Sequence, residues 1–253
     1  MTAAARAALV TGAASPIGQA MARLLAREGY ALAIHCHRAR ERAEVLARTL
    51  AESTGVATAV LAADLTRETE VRPLLERAAH ALAPVEVLVN NAALFLADPW
   101  DDLDPESWRR QIALNLHAPL LLALHFARTL PPEREGLIVN ILDARILRPT
   151  PHYLGYTASK AGLWAATQVL AQRLAPRIRV NAIAPGIVEG DPNPRLARLV
   201  RESPLQRATT HAELEAALLF LLRARSMTGA LLPLDGGRHL DGRSPSARAP
   251  SAG

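Results

Sequence analysis

A tyrosine and a lysine stand four positions apart at the start of a predicted helix, Tyr156 and Lys160. Side chains at this spacing share one helix face, about one turn apart. A neighbouring ammonium stabilises a phenolate and so lowers the tyrosine pKa from its usual value of about 10. The pair therefore predicts a phenol that can donate a proton in catalysis.

Lys160 is also the only lysine of the chain, so 28 of its 29 basic residues are arginine. A chain with this bias is expected to use arginine wherever arginine serves. The exception predicts a position that needs a compact, titratable ammonium. Taken singly, Tyr-x-x-x-Lys is common on helix surfaces, so its meaning depends on the rest of the chain.

A glycine-containing turn, from Thr11 to Gly18, follows the first predicted strand and opens a helix. Such a turn lets the backbone approach a pyrophosphate and directs helix N–H groups at it. Alone, the pattern also suits a tight turn with no ligand. Asp64 and Asn91, at the ends of two further strands, favour a nucleotide ligand. If the tyrosine donates a proton in a reduction, a nicotinamide cofactor would supply the hydride. The cofactor-binding residues predicted here are Gly12, Ser15, Ile17, Gly18, Asp64, Leu65, Asn91 and Ala92.

The second predicted strand ends with His37 and Arg38, and the first carboxylate after it is Glu41. NAD-specific folds usually place an acidic residue at this strand end, whereas a cation suits the 2′-phosphate of NADP. We therefore predict NADPH as the cofactor, with Arg38 as the main phosphate partner and His37 as a helper. The pair His35 and His37 would also suit a metal, but no further ligand stands at a useful spacing, so no metal is expected.

Short apolar or β-branched runs alternate along the chain with longer helical patterns, which is typical of repeated βαβ units. Strands are predicted near 7–10, 31–35, 56–62, 85–90, 136–142, 177–184 and 230–234. Helices are predicted near 17–27, 40–53, 68–82, 105–129, 154–174 and 212–223. The fold class is α/β, a Rossmann-type doubly wound parallel seven-stranded sheet with helices on both faces. Ligands are then expected at the carboxyl ends of the strands.

The length of 253 residues and the apolar fraction of 50% suit a single domain, predicted over residues 1–240. Residues 186–210, rich in Pro, Arg and Gly, are predicted to form a substrate lid, with a long surface connection as the alternative. The stretch 241–253 lacks apolar periodicity and is predicted to be a disordered tail.

The formal net charge is +5, but the basic residues are spread among acidic ones, so no nucleic-acid partner is expected. No apolar run reaches the roughly 18 residues of a membrane span, so no membrane association is expected. The beginning of the chain shows no secretion signal, and the single cysteine, Cys36, fits a reducing compartment. We therefore expect a cytoplasmic protein.

Taken together, the motifs resemble the short-chain dehydrogenase/reductase family, over residues 9 to about 237. Two further matches are Asn115 and the run Ile183-Ala184-Pro185-Gly186. The resemblance implies that Asn115 supports a helix distortion and a water relay. It also implies that Lys160 binds the nicotinamide ribose, that Pro185 and Gly186 lie beside the nicotinamide, and that the protein is a homotetramer.

The family's usual catalytic serine, 13 positions before the tyrosine, is replaced by Asp143. A carboxylate accepts hydrogen bonds and can pass a proton to a nitrogen base. In this the chain resembles the pteridine reductases, including bacterial dihydromonapterin reductases. There a phenylalanine stacks the pterin on the nicotinamide and a tyrosine lines the pocket, positions held here by Phe95 and Tyr153. Pro16 stands where those enzymes often carry an arginine, so one charged contact is absent.

The leading hypothesis is NADPH-dependent reduction of a dihydropterin to the tetrahydropterin, with Asp143 and Tyr156 holding the aminopyrimidine edge or relaying the proton. Phe95 and Tyr153 complete the predicted substrate site. One alternative is a carbonyl reductase acting on an oxoacyl, sugar or steroid ketone, and another is a non-catalytic NADP-binding sensor. Phe95 could instead serve only to pack the core, and Asp143 could instead be a structural helix cap.

Overall fold

The computed structural model describes residues 6–96, 104–190 and 194–240. Its strands are β1 (Ala7–Val10), β2 (Ala31–Cys36), β3 (Thr58–Ala62), β4 (Val85–Asn90), β5 (Gly136–Ile141), β6 (Ile178–Pro185) and β7 (Leu231–Leu234). They form one parallel sheet in the order β3-β2-β1-β4-β5-β6-β7. The predicted seven-stranded, doubly wound sheet is confirmed. The predicted tail, 241–253, lies outside the described residues.

Nine α-helices occur within the described residues. They are α1 (Pro16–Arg27), α2 (Arg40–Thr54), α3 (Glu68–Val71), α4 (Leu74–Ala81), α5 (Pro105–Ile112), α6 (Ala118–Thr129), α7 (Leu154–Leu174), α8 (Pro194–Arg201) and α9 (His211–Arg223). A π-helical turn, Ala113–His117, joins α5 to α6, and short 3-10 helices span Ala144–Leu147 and Arg238–Leu240. None of the helices in the described ranges is long and apolar enough to cross a membrane.

The predicted helices differ from the structure at α3 and α4 and at α8. The helix predicted near 68–82 is divided into α3 and α4 around Pro73, which caps α4. Proline has no backbone N–H to donate and clashes with the preceding turn, so a helix tends to break there. Helix α8 was not predicted, because its Pro- and Arg-rich sequence lies in the stretch interpreted as a lid.

The core lies on both faces of the sheet because successive strand residues point to opposite sides. In β1, Leu9 packs into the cluster that contains Phe126 of α6, whereas Val10 packs into the cluster that contains Met21 of α1. All four side chains are completely buried. The sheet is thereby held between two helical layers, and its strand ends are kept in fixed register.

The strand order reverses beside β1, whose neighbours are β2 and β4. At such a point the connections leave the sheet in opposite directions and open a crevice at the carboxyl ends of the strands. The glycine turn after β1 and the residues after β4 therefore emerge side by side. This crevice is where the predicted site residues come together.

Candidate active site

The glycine turn after β1 is tightly closed against the loop that follows β4. Gly12 has a positive φ of 61°, and a Cβ on Gly18 would lie 2.4 Å from the carbonyl oxygen of Gly12. The Nδ2 of Asn91 donates to the carbonyl oxygens of Thr11 and Gly12, at 2.8 and 3.0 Å. Ser15 caps α1 by accepting from the Gly18 N–H at 3.2 Å. Asn91 therefore braces the turn, and the absence of side chains on the two glycines leaves its backbone open to a ligand.

His35, near the end of β2, fixes the same turn from the other side. Its Nδ1 accepts from the Gly12 N–H at 3.0 Å, and its Nε2 lies 3.1 Å from the carbonyl oxygen of Ala63. These partners require a neutral ring with its proton on Nε2, because a carbonyl oxygen can only accept. Burial lowers the His35 pKa to about 4, which keeps the ring neutral at physiological pH. The sequence analysis named His37 as functional and missed this role of His35.

The end of β2 presents a free cation to the crevice. Arg38 is exposed, and within the described ranges no carboxylate lies within 4.0 Å of its guanidinium. Asp64, after β3, accepts hydrogen bonds from the backbone N–H and the hydroxyl of Thr66, at 3.0 and 2.7 Å. The His37 Nε2 lies 3.9 Å from the Asp64 carboxylate. Arg38 therefore remains available for an anionic group.

Lys160 is buried one helical turn from Tyr156 on α7, with its Nζ donating to the carbonyl oxygen of Ile141 at 2.7 Å. Its Nζ lies 5.8 Å from the centroid of the Tyr156 ring. Burial lowers the Lys160 pKa to about 8, and the negative charge of Asp143 opposes that shift. The ammonium is therefore easier to deprotonate than an exposed lysine.

The expected lowering of the Tyr156 pKa is wrong. Burial raises the pKa of Tyr156, and the charge of Asp143, together with a hydrogen bond from the phenol to its carboxylate, raises it further. Arg145 acts weakly in the opposite direction. The prediction failed because it considered the ammonium of Lys160 and omitted both burial and the carboxylate of Asp143. In this structure Tyr156 is a neutral phenol that donates to Asp143.

Asp143 has two partners. One carboxylate oxygen, Oδ1, accepts from the Arg145 N–H at 2.7 Å and caps the 3-10 helix Ala144–Leu147. The carboxylate also accepts from the Tyr156 hydroxyl. The structural cap and the contact with the tyrosine therefore coexist, and the cap holds the carboxylate in place.

Asn115 lies in the π-helical turn and is completely buried. Its amide makes a pair of hydrogen bonds with the backbone of Leu94, at 2.7 and 2.9 Å, and donates to the Ser159 hydroxyl at 3.1 Å. The Ser159 hydroxyl in turn donates to the carbonyl oxygen of Tyr156 at 2.7 Å. Asn115 thus links the loop after β4 to the start of α7.

Three aromatic rings form a wall beside Asp143. The Phe95 ring is 50% exposed, stacks on Tyr153 with centroids 4.4 Å apart, and meets Tyr156 edge-on at 4.7 Å. Tyr153 holds a left-handed backbone conformation, with φ 63°, where α7 begins. Because Phe95 and Tyr153 are already in contact, a planar ligand cannot lie between them. It would lie against another face of this aromatic wall.

One cleft of about 1520 Å³ runs along the carboxyl ends of the strands. The predicted site residues that line it are Gly12, Ser15, Ile17, His37, Arg38, Asp64, Leu65, Asn91, Ala92, Phe95, Asp143, Tyr156 and Gly186. Five others are not part of this lining, namely Gly18, Asn115, Tyr153, Lys160 and Pro185. Four arginines of the lining were not predicted, Arg110, Arg145, Arg148 and Arg238.

The two ends of the cleft differ in chemistry. At one end are a bare backbone turn, a helix N-terminus and the free Arg38, which together fit a phosphorylated dinucleotide. At the other end, Asp143, Tyr156 and Lys160 can hold and transfer a proton. The fold and the cleft therefore fit a nucleotide-binding enzyme of the doubly wound α/β class.

The chain belongs to the short-chain dehydrogenase family, whose model matches residues 6–198. It is therefore an oxidoreductase of that family. A solved structure named FolM alternative dihydrofolate reductase 1 from Brucella canis, in complex with NADP, is 41% identical with a TM-score of 0.90, covering 97% of this chain and 98% of that one.

Two relatives act on other compounds. A cis-4-hydroxycyclohexanecarboxylate dehydrogenase of Sinomonas cyclohexanicum is 36% identical, covering 92% of this chain and 96% of its own length. A 3beta-hydroxysteroid dehydrogenase of Eggerthella lenta is 34% identical, covering 92% of this chain and 93% of its own length. The family is therefore established, and the similarities extend to proteins with different substrates.

Proposed function

We propose that this protein reduces a dihydropterin to the tetrahydropterin with NADPH. The observation that carries the proposal is the carboxylate of Asp143, hydrogen-bonded to Tyr156 beside the exposed ring of Phe95. The similarity to a dihydrofolate reductase crystallised with NADP supports both the substrate class and the cofactor.

A carboxylate at position 143 suits a pterin better than a ketone. The aminopyrimidine ring of a pterin offers adjacent N–H groups, and an ionised carboxylate only accepts hydrogen bonds. Reduction of a ketone instead builds negative charge on the carbonyl oxygen, which needs hydrogen-bond donors around it. The negative charge of Asp143 would oppose that oxyanion.

When bound, NADPH supplies the hydride. Tyr156 holds its proton on the phenolic oxygen and directs it at Asp143, so the pair can pass one proton to a ring nitrogen of the substrate. Lys160 places an ammonium near Tyr156, where it would stabilise the negative charge that develops on the phenolic oxygen as the proton leaves. Phe95 offers a flat apolar surface that orients the ring.

The remaining roles belong to the same proposal. The glycine turn, Asn91 and Ala92 would hold the pyrophosphate and adenosine, with Asp64 and Leu65 beside the adenine, while Pro185, Gly186 and Lys160 would hold the nicotinamide half. Residues 1–240 would form one domain that assembles as a homotetramer.

Residues 186–210 would cover the substrate. Their two ends are held together by hydrogen bonds from the Thr209 N–H to Ile187 O, at 2.8 Å, and from the Glu189 N–H to Thr209 O, at 2.9 Å. Leu196 and Leu199 of α8 line the cleft. This closed arrangement supports a lid rather than a plain surface connection.

The direct test is anaerobic NADPH oxidation with dihydromonapterin, dihydrobiopterin and dihydrofolate, one at a time. We expect turnover with at least one of them, and loss of turnover in Tyr156→Phe at unchanged thermal stability. An enzyme that oxidises NADPH with none of the three would contradict the proposal.

A second candidate, the reduction of a cyclic or steroid ketone, is favoured by the hydroxycyclohexanecarboxylate and hydroxysteroid dehydrogenases among the relatives. In that reaction the negative charge of Asp143 would hinder catalysis. A panel of such ketones, assayed alongside the dihydropterins, separates the two candidates.

The choice of NADPH over NADH should depend on Arg38. In Arg38→Ala we expect KM for NADPH to rise by about 10- to 100-fold, the usual range for losing hydrogen bonds to a charged group. KM for NADH should stay unchanged, because NADH lacks the 2′-phosphate. Arg42→Ala, which removes an exposed arginine one turn further along, is the matched control. Equal effects on both cofactors would show that Arg38 does not contact the phosphate.

A further inference from the structure

Three of the arginines that line the cleft, Arg145, Arg148 and Arg238, lie close enough together for their charges to interact. The Arg145 guanidinium lies over the rings of Tyr153 and Phe95, with its central carbon 5.0 and 5.9 Å from their centroids. Arg148 donates through Nη1 to the carbonyl oxygen of Arg238, at 3.3 Å. Arg145 therefore borders the aromatic wall, and Arg148 contacts the 3-10 helix Arg238–Leu240.

Within the described residues, none of these three arginines forms an ion pair. Across residues 6–96, 104–190 and 194–240, no carboxylate lies within 4.0 Å of any of these three guanidinium groups. Burial lowers the pKa of Arg238 and the charges of Arg148 and Arg145 lower it further, while the charges of Glu202 and Asp235 oppose the shift more weakly. Such mutual repulsion in a partly buried site favours binding of an anion.

The two carboxylates whose charge acts on Arg238, Asp235 and Glu202, already have other partners. Asp235 accepts from the N–H groups of Gly237 and His239, at 3.0 and 2.7 Å, and from the His239 ring at 2.9 Å. Glu202 accepts from the Nε of Arg198 at 2.7 Å. Neither is free to turn toward the arginines without breaking these bonds.

Arg145 also has unused hydrogen-bonding capacity. One of its terminal nitrogens donates to the Thr150 hydroxyl at 2.8 Å, but its Nε is buried and has no partner within the described part of the chain. A buried donor without a partner is costly and is usually satisfied by a ligand or water. Stacking on the aromatic wall holds this group at the edge of the substrate region.

From this cluster we infer that the preferred substrate is a dihydropterin whose side chain carries an anionic group, a carboxylate or a phosphate. The inference rests on the proposed function. With the flat ring against Phe95 and its polar edge at Asp143, the side chain extends toward Arg148 and Arg238. A planar guanidinium can donate two parallel hydrogen bonds to a carboxylate or a phosphate. An uncharged hydroxylated side chain on the substrate cannot form this charged pair.

These arginines are separate from the cation expected to bind the cofactor. Arg38 lies at the end of β2, whereas Arg145 lies over the substrate-side aromatic rings and influences the pKa of Tyr156. Their removal should therefore change substrate kinetics and leave KM for NADPH unchanged.

The test compares three substrates at saturating NADPH: dihydrofolate, which ends in carboxylates, dihydroneopterin triphosphate, which ends in phosphate, and uncharged dihydrobiopterin. We expect at least one anionic substrate to have a kcat/KM about tenfold or more above that of dihydrobiopterin. The two anionic substrates distinguish a carboxylate from a phosphate. Added salt should lower kcat/KM for the preferred anionic substrate only, because it screens the attraction.

Arg148→Gln is the informative variant, because among the described residues Arg148 donates one side-chain hydrogen bond, to the Arg238 carbonyl oxygen, and makes no stacking contact with the aromatic wall. It should lose most of the preference for the anionic substrate, by about tenfold or more, and Arg148→Lys should retain part of it. Arg48→Gln, an exposed change of the same charge on α2, should have no effect. Equal melting temperatures would establish that the variants are folded.

The outcomes separate the two proposals. The inference is overturned if dihydrobiopterin is turned over as fast as both anionic substrates. It is also overturned if Arg148→Gln affects charged and uncharged substrates equally. In either case the proposed pterin reductase function still holds. A rise in KM for NADPH in Arg148→Gln overturns the inference too, because the cluster would then bind the cofactor. Absence of turnover with all three substrates overturns the proposed function, and the inference with it.

Discussion

The Asp143→Ser variant is expected to lose dihydropterin reduction by roughly 10²- to 10⁴-fold in kcat, the usual contribution of a positioned proton-transfer group. Serine also caps helices, so it can accept from the Arg145 N–H in place of the carboxylate and keep the 3-10 helix Ala144–Leu147 intact. The variant therefore removes the charge and the partner of Tyr156 with little change in the surrounding backbone. Steady-state kinetics and a melting curve on the same sample measure the two effects separately.

Asp143→Asn is the matched control for shape. It keeps the size and the capping oxygen but carries no charge, so it should lose activity to a similar degree. In both variants the pKa of Tyr156 should fall, because the carboxylate that raises it is gone. Titration of tyrosinate absorbance, with Tyr156→Phe as the reference, measures that fall. An Asp143→Ser enzyme that keeps its dihydropterin activity and gains ketone reduction would instead identify a carbonyl reductase.

Mild acid is expected to destabilise the protein through His35, by about 3 kcal/mol between pH 6.5 and pH 4. The folded state holds the His35 pKa at about 4, below its ordinary value of 6.5. The unfolded chain therefore binds the proton more readily. This contribution to stability is complete above pH 6.5 and is lost as the pH falls toward 4.

Urea unfolding at pH 7.0, 5.5 and 4.5 measures this loss when the wild type is compared with His35→Gln. The glutamine does not titrate, so the stability difference between the two proteins should shrink as the pH falls. His80→Gln, at an exposed position on α4, controls for general acid effects. A difference that stays constant with pH would mean that His35 does not titrate with unfolding.

Protonated His35 cannot accept from the Gly12 N–H, so the same acidification should loosen the glycine turn before the protein unfolds. KM for NADPH would rise in the wild type as the pH falls toward 4.5, and the rise should be smaller in His35→Gln.

The fold was predictable because its signals are local and repeated. Each strand is a short apolar run, and α7 matches the bounds predicted for it, Leu154 to Leu174, a long stretch that is rich in alanine and leucine and contains no proline. The residues that surround the cleft could also be named, because the carboxyl ends of parallel strands meet at one edge of the sheet. The division at Pro73 and the helix α8 were missed because composition alone did not decide between a helix and a loop.

The electrostatics of the site could not be predicted in the same way. Spacing placed Tyr156 and Lys160 on one helix face, but it did not reveal that the phenol donates to Asp143, which reverses the direction of the pKa shift. Nor could it single out Arg145, Arg148 and Arg238 among 28 arginines, because the sequence does not say which of them face the cleft. His35 was missed because its partner, the Gly12 N–H, belongs to the turn after another strand, β1.

The burial of Lys160 has a consequence for the chemical handling of this protein. The folded chain offers amine-reactive reagents no lysine at its surface, since its single lysine is 2% exposed and bonded to Ile141. Acylation or cross-linking of a lysine side chain can therefore proceed only when the centre of the active site opens, and each such event inactivates the molecule. Lysine labelling of this protein consequently counts openings of one specific place, without any engineered reporter.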